Sequence, residues 1–232
     1  MKSIRKLFKP FVGIVFPETC ICCGQSTAST GKSICNWCCF DRFESAEFSN
    51  DDILPSGVKF QFSMWQFDKG GYLQKLLHDL KYNFMMGVGE ELGFLAGKQF
   101  KQRADSHLYT EIETCNPIIL PVPLHQKKER KRGYNQARAI ANGLQRATNW
   151  EIAAPGAVSR VKQTKTQTGL SLSDRSENLK GAFRLNRKDR FEGKFVLIID
   201  DVYTTGATTF ELAGTLFSEG IASAGILTIA KA

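Results

Sequence analysis

The chain has 232 residues, 42% hydrophobic and 23% charged, which suits a soluble globular protein with one ordinary core and a small appendage. No apolar run approaches the roughly 20 residues that span a bilayer, which argues against stable membrane insertion. A formal charge of +8 favours anionic partners.

The start, "MKSIRKLFKPFVGIVF", is basic and then briefly apolar. Its apolar stretch lies between Pro10 and Pro17 and is too short for a signal-peptide core. The expectation is an amphipathic lead-in to a cytoplasmic protein. Six of the seven cysteines follow between Cys20 and Cys39. Disulfides in an oxidising compartment compete with a metal site in a reducing one, and the lack of a signal peptide favours metal. Cys20-Ile-Cys-Cys23 and Cys35-Asn-Trp-Cys38 form two CxxC pairs with eleven residues between them. Two such knuckles give four thiolates to one tetrahedral ion, so Cys20, Cys23, Cys35 and Cys38 are the candidate ligands of a structural Zn²⁺. Cys22 and Cys39 are adjacent extras that leave the ligand set open by one position. Residues 1–50 are therefore read as a zinc-binding module with a basic lead-in. A second domain is expected over 51–232, the junction falling in a polar boundary at residues 46–58 that contains Pro55 and Gly57.

"KFQFSMWQF" alternates and predicts a strand, placed in a small hood. Leu73, Leu76, Leu77 and Leu80 share one helical face, and a second helix is expected over about Glu90 to Arg103. "PIILPVPL" predicts a short buried strand ended by prolines. The basic stretch after it is read as a loop, before a helix carrying Ala137, Ile140, Ala141 and Leu144. "KFVLIID" predicts a parallel strand covered on both faces. A helix over Thr208 to Glu219 and a strand over "ASAGILTIA" complete the pattern. Strands alternating with helices indicate an open α/β sheet.

The positive charge is concentrated. Lys127 to Arg138 holds six Lys/Arg and one acid, and Arg160 to Arg190 holds nine and three. A solvated face is the ordinary meaning of such runs. Here they flank a different signal. Asp200 and Asp201 are expected at the carboxyl end of the Val196–Ile199 strand, where open α/β sheets bind ligands. Two carboxylates repel unless they meet hydroxyls or a cation. Val202, Tyr203, Thr204, Thr205, Gly206, Ala207 and Thr208 follow. The Thr204–Thr208 stretch offers hydroxyls, backbone N–H groups and a helix start, which together make a phosphate nest. A diol at one end and a phosphate at the other describe a ribose 5-phosphate. The plain alternative is a strand end with an N-capping Thr.

"VLIIDDVYTTGAT" resembles the phosphoribosyl pyrophosphate (PRPP) signature of type I phosphoribosyltransferases, with Tyr203 replacing the usual aliphatic residue. "LKY", "PVPLH", "RGYNQA" and "TQTGLSLSDRSENLKGAF" occur in order around it, behind the paired CxxC motifs. Together these resemble the ComF/GntX family, phosphoribosyltransferase-like proteins with an N-terminal zinc finger, and the likeness covers nearly the whole chain. It implies the type I phosphoribosyltransferase fold: a mostly parallel sheet flanked by helices, with a small hood and a zinc-ribbon-like four-cysteine module. It also implies that PRPP or a ribose 5-phosphate ligand binds with Mg²⁺. Asp200 and Asp201 would hold the ribose hydroxyls, with Val202 and Tyr203 alongside, and Thr204 to Thr208 would hold the 5-phosphate. Pro123, Leu124, Arg132, Gly133, Asn135 and Gln136 would form the pyrophosphate loop, and Arg160, Gln167 and Arg175 a loop closing over it. Two functions fit. One is a protein of DNA uptake in natural transformation, with single-stranded DNA and a competence helicase as partners. The other is an active phosphoribosyltransferase of nucleotide or nucleoside metabolism with an unnamed acceptor.

Overall fold

A computed structural model of the chain describes residues 19–27, 32–48, 54–162 and 179–232. Strand Val58–Gln66 (β1) leads into helices Tyr72–Tyr82 (α1), Met86–Arg103 (α2) and Ser106–Thr114 (α3). Then come Ile118–Pro121 (β2), Gln126–Arg132 (α4), Gln136–Thr148 (α5) and Glu151–Ile152 (β3). Val158–Arg160 (β4) and Phe183–Leu185 (β5) form a small antiparallel ribbon. Val196–Tyr203 (β6), Ala207–Ser218 (α6) and Ala224–Lys231 (β7) end the chain.

Five strands form a wholly parallel sheet in the order β1-β7-β6-β2-β3. From β2 the chain passes through α5 to β3 on one side. From β6 it passes through α6 to β7 on the other. The strand order therefore reverses between β2 and β6, which opens a crevice beyond their carboxyl ends.

The continuous apolar run of β6 is buried on both faces, as parallel strands require. Leu197 and Ile199 share a core with Phe60 and Phe62 of β1 and with Leu77, Ile140 and Leu144 in the layer of α1, α2 and α5. Val196 and Ile198 point the opposite way, toward Leu120, Phe183, Leu212 and Leu216. Leu73, Leu76, Leu77 and Leu80 of α1 are all buried as their spacing predicts, each contributing about 2 kcal/mol of transfer free energy. Helices α2 and α5 touch backbone to backbone. A Cβ on Gly93 would lie 1.8 Å from the Ile140 carbonyl oxygen, and one on Gly143 would lie 1.8 Å from that of Glu90.

Several elements depart from expectation. β1 belongs to the main sheet, as an edge strand parallel to β7. α2 begins at Met86, ahead of the expected Glu90. α3 carries one buried residue, Ile112, so apolar periodicity did not reveal it; Asp105 caps it through His107 and Leu108 N–H. The basic stretch after β2 is helix rather than loop. No residue of α4 is buried, so its only sequence marks are its caps, His125 accepting from Lys127 N–H and left-handed Gly133. Strand β6 runs on past Ile199 to Tyr203, because β7 pairs it that far.

Candidate functional site

The sulfurs of Cys20, Cys23, Cys35 and Cys38 all lie within 4.8 Å of one another. Cys20 and Cys38 Sγ are 3.8 Å apart, and Cys23 and Cys35 Sγ 3.7 Å. These separations far exceed the roughly 2.05 Å of a disulfide. They match the edge of a tetrahedron with Zn–S of about 2.3 Å. The four thiolates therefore fit a structural zinc with no open position. Cys22 and Cys39 stand outside the cluster, buried. Burial raises both thiols, as it does those of Cys35 and Cys38, so it is position outside the cluster that sets Cys22 and Cys39 apart from the ligands. The knuckle is tied to the body: Ser33 and Ile34 N–H donate to the Glu91 carboxylate on α2, and Phe43 packs on Trp65 of β1 at 4.7 Å.

The acid pair sits where the sheet opens. β2 leaves β6 after the Pro121–Ile199 register, while β7 continues to Tyr203. The two carboxylates lie together, each acting on the other's charge. Asp201 meets Lys81 of α1, with Nζ 2.5 Å from Oδ2. Burial opposes both charges, but each outweighs it for the other. The Lys81 ammonium is held above its ordinary range and the Asp201 carboxyl below its own. Asp200 accepts from Asp201 N–H at 2.9 Å. Burial and the neighbouring Asp201 charge push its carboxyl up to about 8. The charge of Arg160 acts on Asp200 and that of Arg132 on Asp201.

Lys81 is the residue that sequence reasoning missed. It lies in the "LKY" stretch, but an isolated lysine at a helix end carries no sign of its partner. What places it is a contact between distant segments: the Tyr134 hydroxyl donates to the Leu80 carbonyl and so ties the last turn of α1 to the "RGYNQA" turn. Tyr134 and Trp65 are both buried, which makes them core rather than stacking surface.

Beyond Tyr203, residues Thr204 to Gly206 turn into α6. Gly206 is the left-handed N-cap at φ 72°, and a Cβ there would strike the Phe210 ring. Thr205 Oγ1 accepts from Ala207 N–H at 3.4 Å, and the first turn of α6 presents Ala207 and Thr208 to the loop. Tyr203 is buried and packs edge-on against Phe210 at 6.0 Å, so it turns to the core. Val202 is partly buried on the opposite face.

The remaining candidates fall into two groups. Arg132 donates to Gln136 Oε1 at 2.9 Å beside the acid pair's side of the sheet, with Gly133 next to it. Asn135 caps α5, accepting from Ala137 N–H, and donates to the Val122 carbonyl, so it locks the turn to β2. Pro123, Leu124, Asn135 and Arg160 line a cavity of about 650 Å³ beyond β2 and β3, which Asp200 and Asp201 do not line. Gln167 and Arg175 lie outside the described residues.

The chain is 30% identical over 220 residues to the DNA utilization protein YhgH of Escherichia coli (strain K12), covering 91% of this chain and 89% of that protein. It is 41% identical over 118 residues to Competence protein F of Haemophilus influenzae, about half the length of each. It is 32% identical over 108 residues to Competence protein ComFC of Bacillus subtilis, 46% of this chain and 40% of that one. The chain belongs to the ComF family. No family model matches it. In this ComF-family protein no helix among the described residues is long and apolar enough to cross a membrane.

Proposed function

We propose that this ComF-family protein binds PRPP, or another ribose 5-phosphate ligand, at the crevice between β2 and β6, and that it serves DNA uptake in the cytoplasm. The single observation that carries the ligand is the Asp200–Asp201 pair at the strand-order reversal, followed at once by the Thr204–Thr208 turn into α6. The carboxylates accept from the ribose hydroxyls, and the α6 N-terminus with its threonines takes the 5-phosphate. Lys81, Arg132 and Arg160 supply positive charge around the pair, with Lys128 beside the two arginines, as a pyrophosphate needs. Two carboxylates, one engaged by Lys81, are too few to hold Mg²⁺ alone. The ion would arrive with the pyrophosphate, neutralising its charge, and Asp200 is the group left to face it. Zn²⁺ at the cysteine cluster is structural.

The DNA role is supported by the names of the relatives, a DNA utilization protein and two competence proteins, and by the exposed charge of α4. The same site also suits the alternative, an active phosphoribosyltransferase. In that reading the residues position the ligand and neutralise charge as C1 separates from pyrophosphate, with no covalent group supplied.

Calorimetric titration with PRPP and Mg²⁺ tests the ligand. Saturable heat is expected from the native chain and none from Asp200→Ala or Asp201→Ala. No heat from the native chain, or equal heat from all three, overturns the assignment.

A further inference from the structure

Between α1 and α2 the chain exposes three large apolar side chains: Tyr82 at 49%, Phe84 at 65% and Met86 at 53%. Phe84 has φ 53°, a left-handed conformation that bulky residues avoid. Such a residue costs on the order of 1–3 kcal/mol, and here the exposed ring recovers little by burial. Its orientation is nonetheless set. The ring lies over Gly133, where a Cβ would come 2.2 Å from Phe84 Cε1. Gly133 ends α4, and the preceding Arg132 guanidinium lies 5.4 Å from the centre of the Tyr82 ring. Two fixed, exposed rings thus abut one end of a helix that carries Lys127, Lys128, Arg130, Lys131 and Arg132 against Glu129. The other acid near the rings, Asp79, is engaged by His78 and Asn83.

Rigid aromatic faces beside a cationic track are what a single strand of nucleic acid requires. Its phosphates follow the charges, and its unpaired bases stack on the rings. Duplex DNA offers phosphates but keeps its bases inside. We propose that Tyr82 and Phe84 are a base-stacking platform for single-stranded DNA whose backbone runs along α4. This rests on the DNA role proposed above and assigns it a surface. The seven residues of α4 span about 10 Å, enough for the phosphates of one or two nucleotides, so the rings terminate a short track. The "LKY" stretch then has two functions side by side. Lys81 turns inward to Asp201, and Tyr82 turns outward.

The test measures binding of the full-length protein to a fluorescent oligo-dT, and to a duplex of equal length, across a salt series. Phe84→Ala and Tyr82→Ala should each weaken oligo-dT binding roughly tenfold, with little change for duplex. Phe84→Asn keeps a residue that tolerates φ > 0. It should leave the melting temperature unchanged or higher while losing the same affinity, which separates stacking from folding. Lys127→Gln with Lys131→Gln should instead flatten the salt dependence. A 2-aminopurine base in the oligonucleotide should be quenched by the native chain and less by the ring variants. If the native chain binds oligo-dT and the ring variants match it, the platform is wrong and the DNA role stands. If the native chain does not bind, both fall. If Phe84→Asn instead loses PRPP affinity, the ring belongs to the small-ligand site and the platform is overturned.

Discussion

Cys20, Cys23, Cys35 and Cys38 come from one short stretch, and their sulfurs already stand at the separations a zinc ion imposes. Asp200 and Asp201 are adjacent in sequence, yet their surroundings come from α1, α4 and β4, far apart along the chain. The cysteine cluster is self-contained and closed. The acid pair is open, and its charge balance is borrowed from Lys81, Arg132 and Arg160. A closed site answers to its own residues, whereas an open site answers to the packing that brings its neighbours in.

The largest expected effect breaks the closed site. Cys23→Ser should remove bound zinc, near one equivalent in native protein, as read by metal analysis. The knuckle shares a core with β1 through Phe43 and Trp65, so the loss should reach the body. A fall in melting temperature on the order of 10 °C is expected, since structural zinc contributes folding free energy outright. Zinc-free native protein melting unchanged would show that the cluster carries no structural load.

The two regions are joined by α2 and α5. α2 offers Glu91 to the knuckle, and α5 begins at Asn135 and Gln136 beside the acid pair. Gly93→Ala drives a Cβ against the Ile140 carbonyl and should cost about 3 kcal/mol in denaturant unfolding, weakening both regions together. A denaturant midpoint within error of native would mean the helices separate at no cost.

Legibility follows the same division. The four-cysteine cluster could be read because ligand chemistry and spacing are local. The β6 strand and the turn behind it were equally plain, since an apolar run ending in Asp-Asp-Val-Tyr-Thr-Thr-Gly is continuous in sequence. Lys81 was not readable as part of the site, because its role depends on where α1 ends relative to β6. α4 was missed because a fully polar helix has no periodicity, and Gly93 and Gly143 gave no warning that two helices meet at backbone distance.

Lys81 sharpens the comparison from the other side. Lys81→Met leaves Asp201 buried without its cation, which should cost about 2 kcal/mol, reduced from the usual value for a broken buried pair because Asp201 can take up a proton. Asp201→Asn in the same chain should restore most of that loss. A double-mutant cycle with no coupling would mean that the 2.5 Å contact is not a working ion pair.

The last comparison is a matter of pH. Asp200 is pushed from 3.8 to about 8 by burial and by Asp201. Between those values the folded chain keeps a proton that the unfolded chain has released. Asp200 therefore lowers stability progressively as pH rises across that window, and adds no further change above it. Asp201, held low by Lys81, contributes stability above about pH 4 and loses it only on acidification. Asp200→Asn removes the first dependence and leaves the second. The melting temperature of native protein, measured against that variant, should fall progressively, by on the order of 10 °C, from about pH 5 to pH 8 and then level off. Parallel curves would place an ionised Asp200 at neutral pH. A falling difference would show that the site alone resists holding two negative charges. A ligand that brings hydroxyls and a cation would relieve that resistance, so the same slope should vanish when PRPP and Mg²⁺ are present.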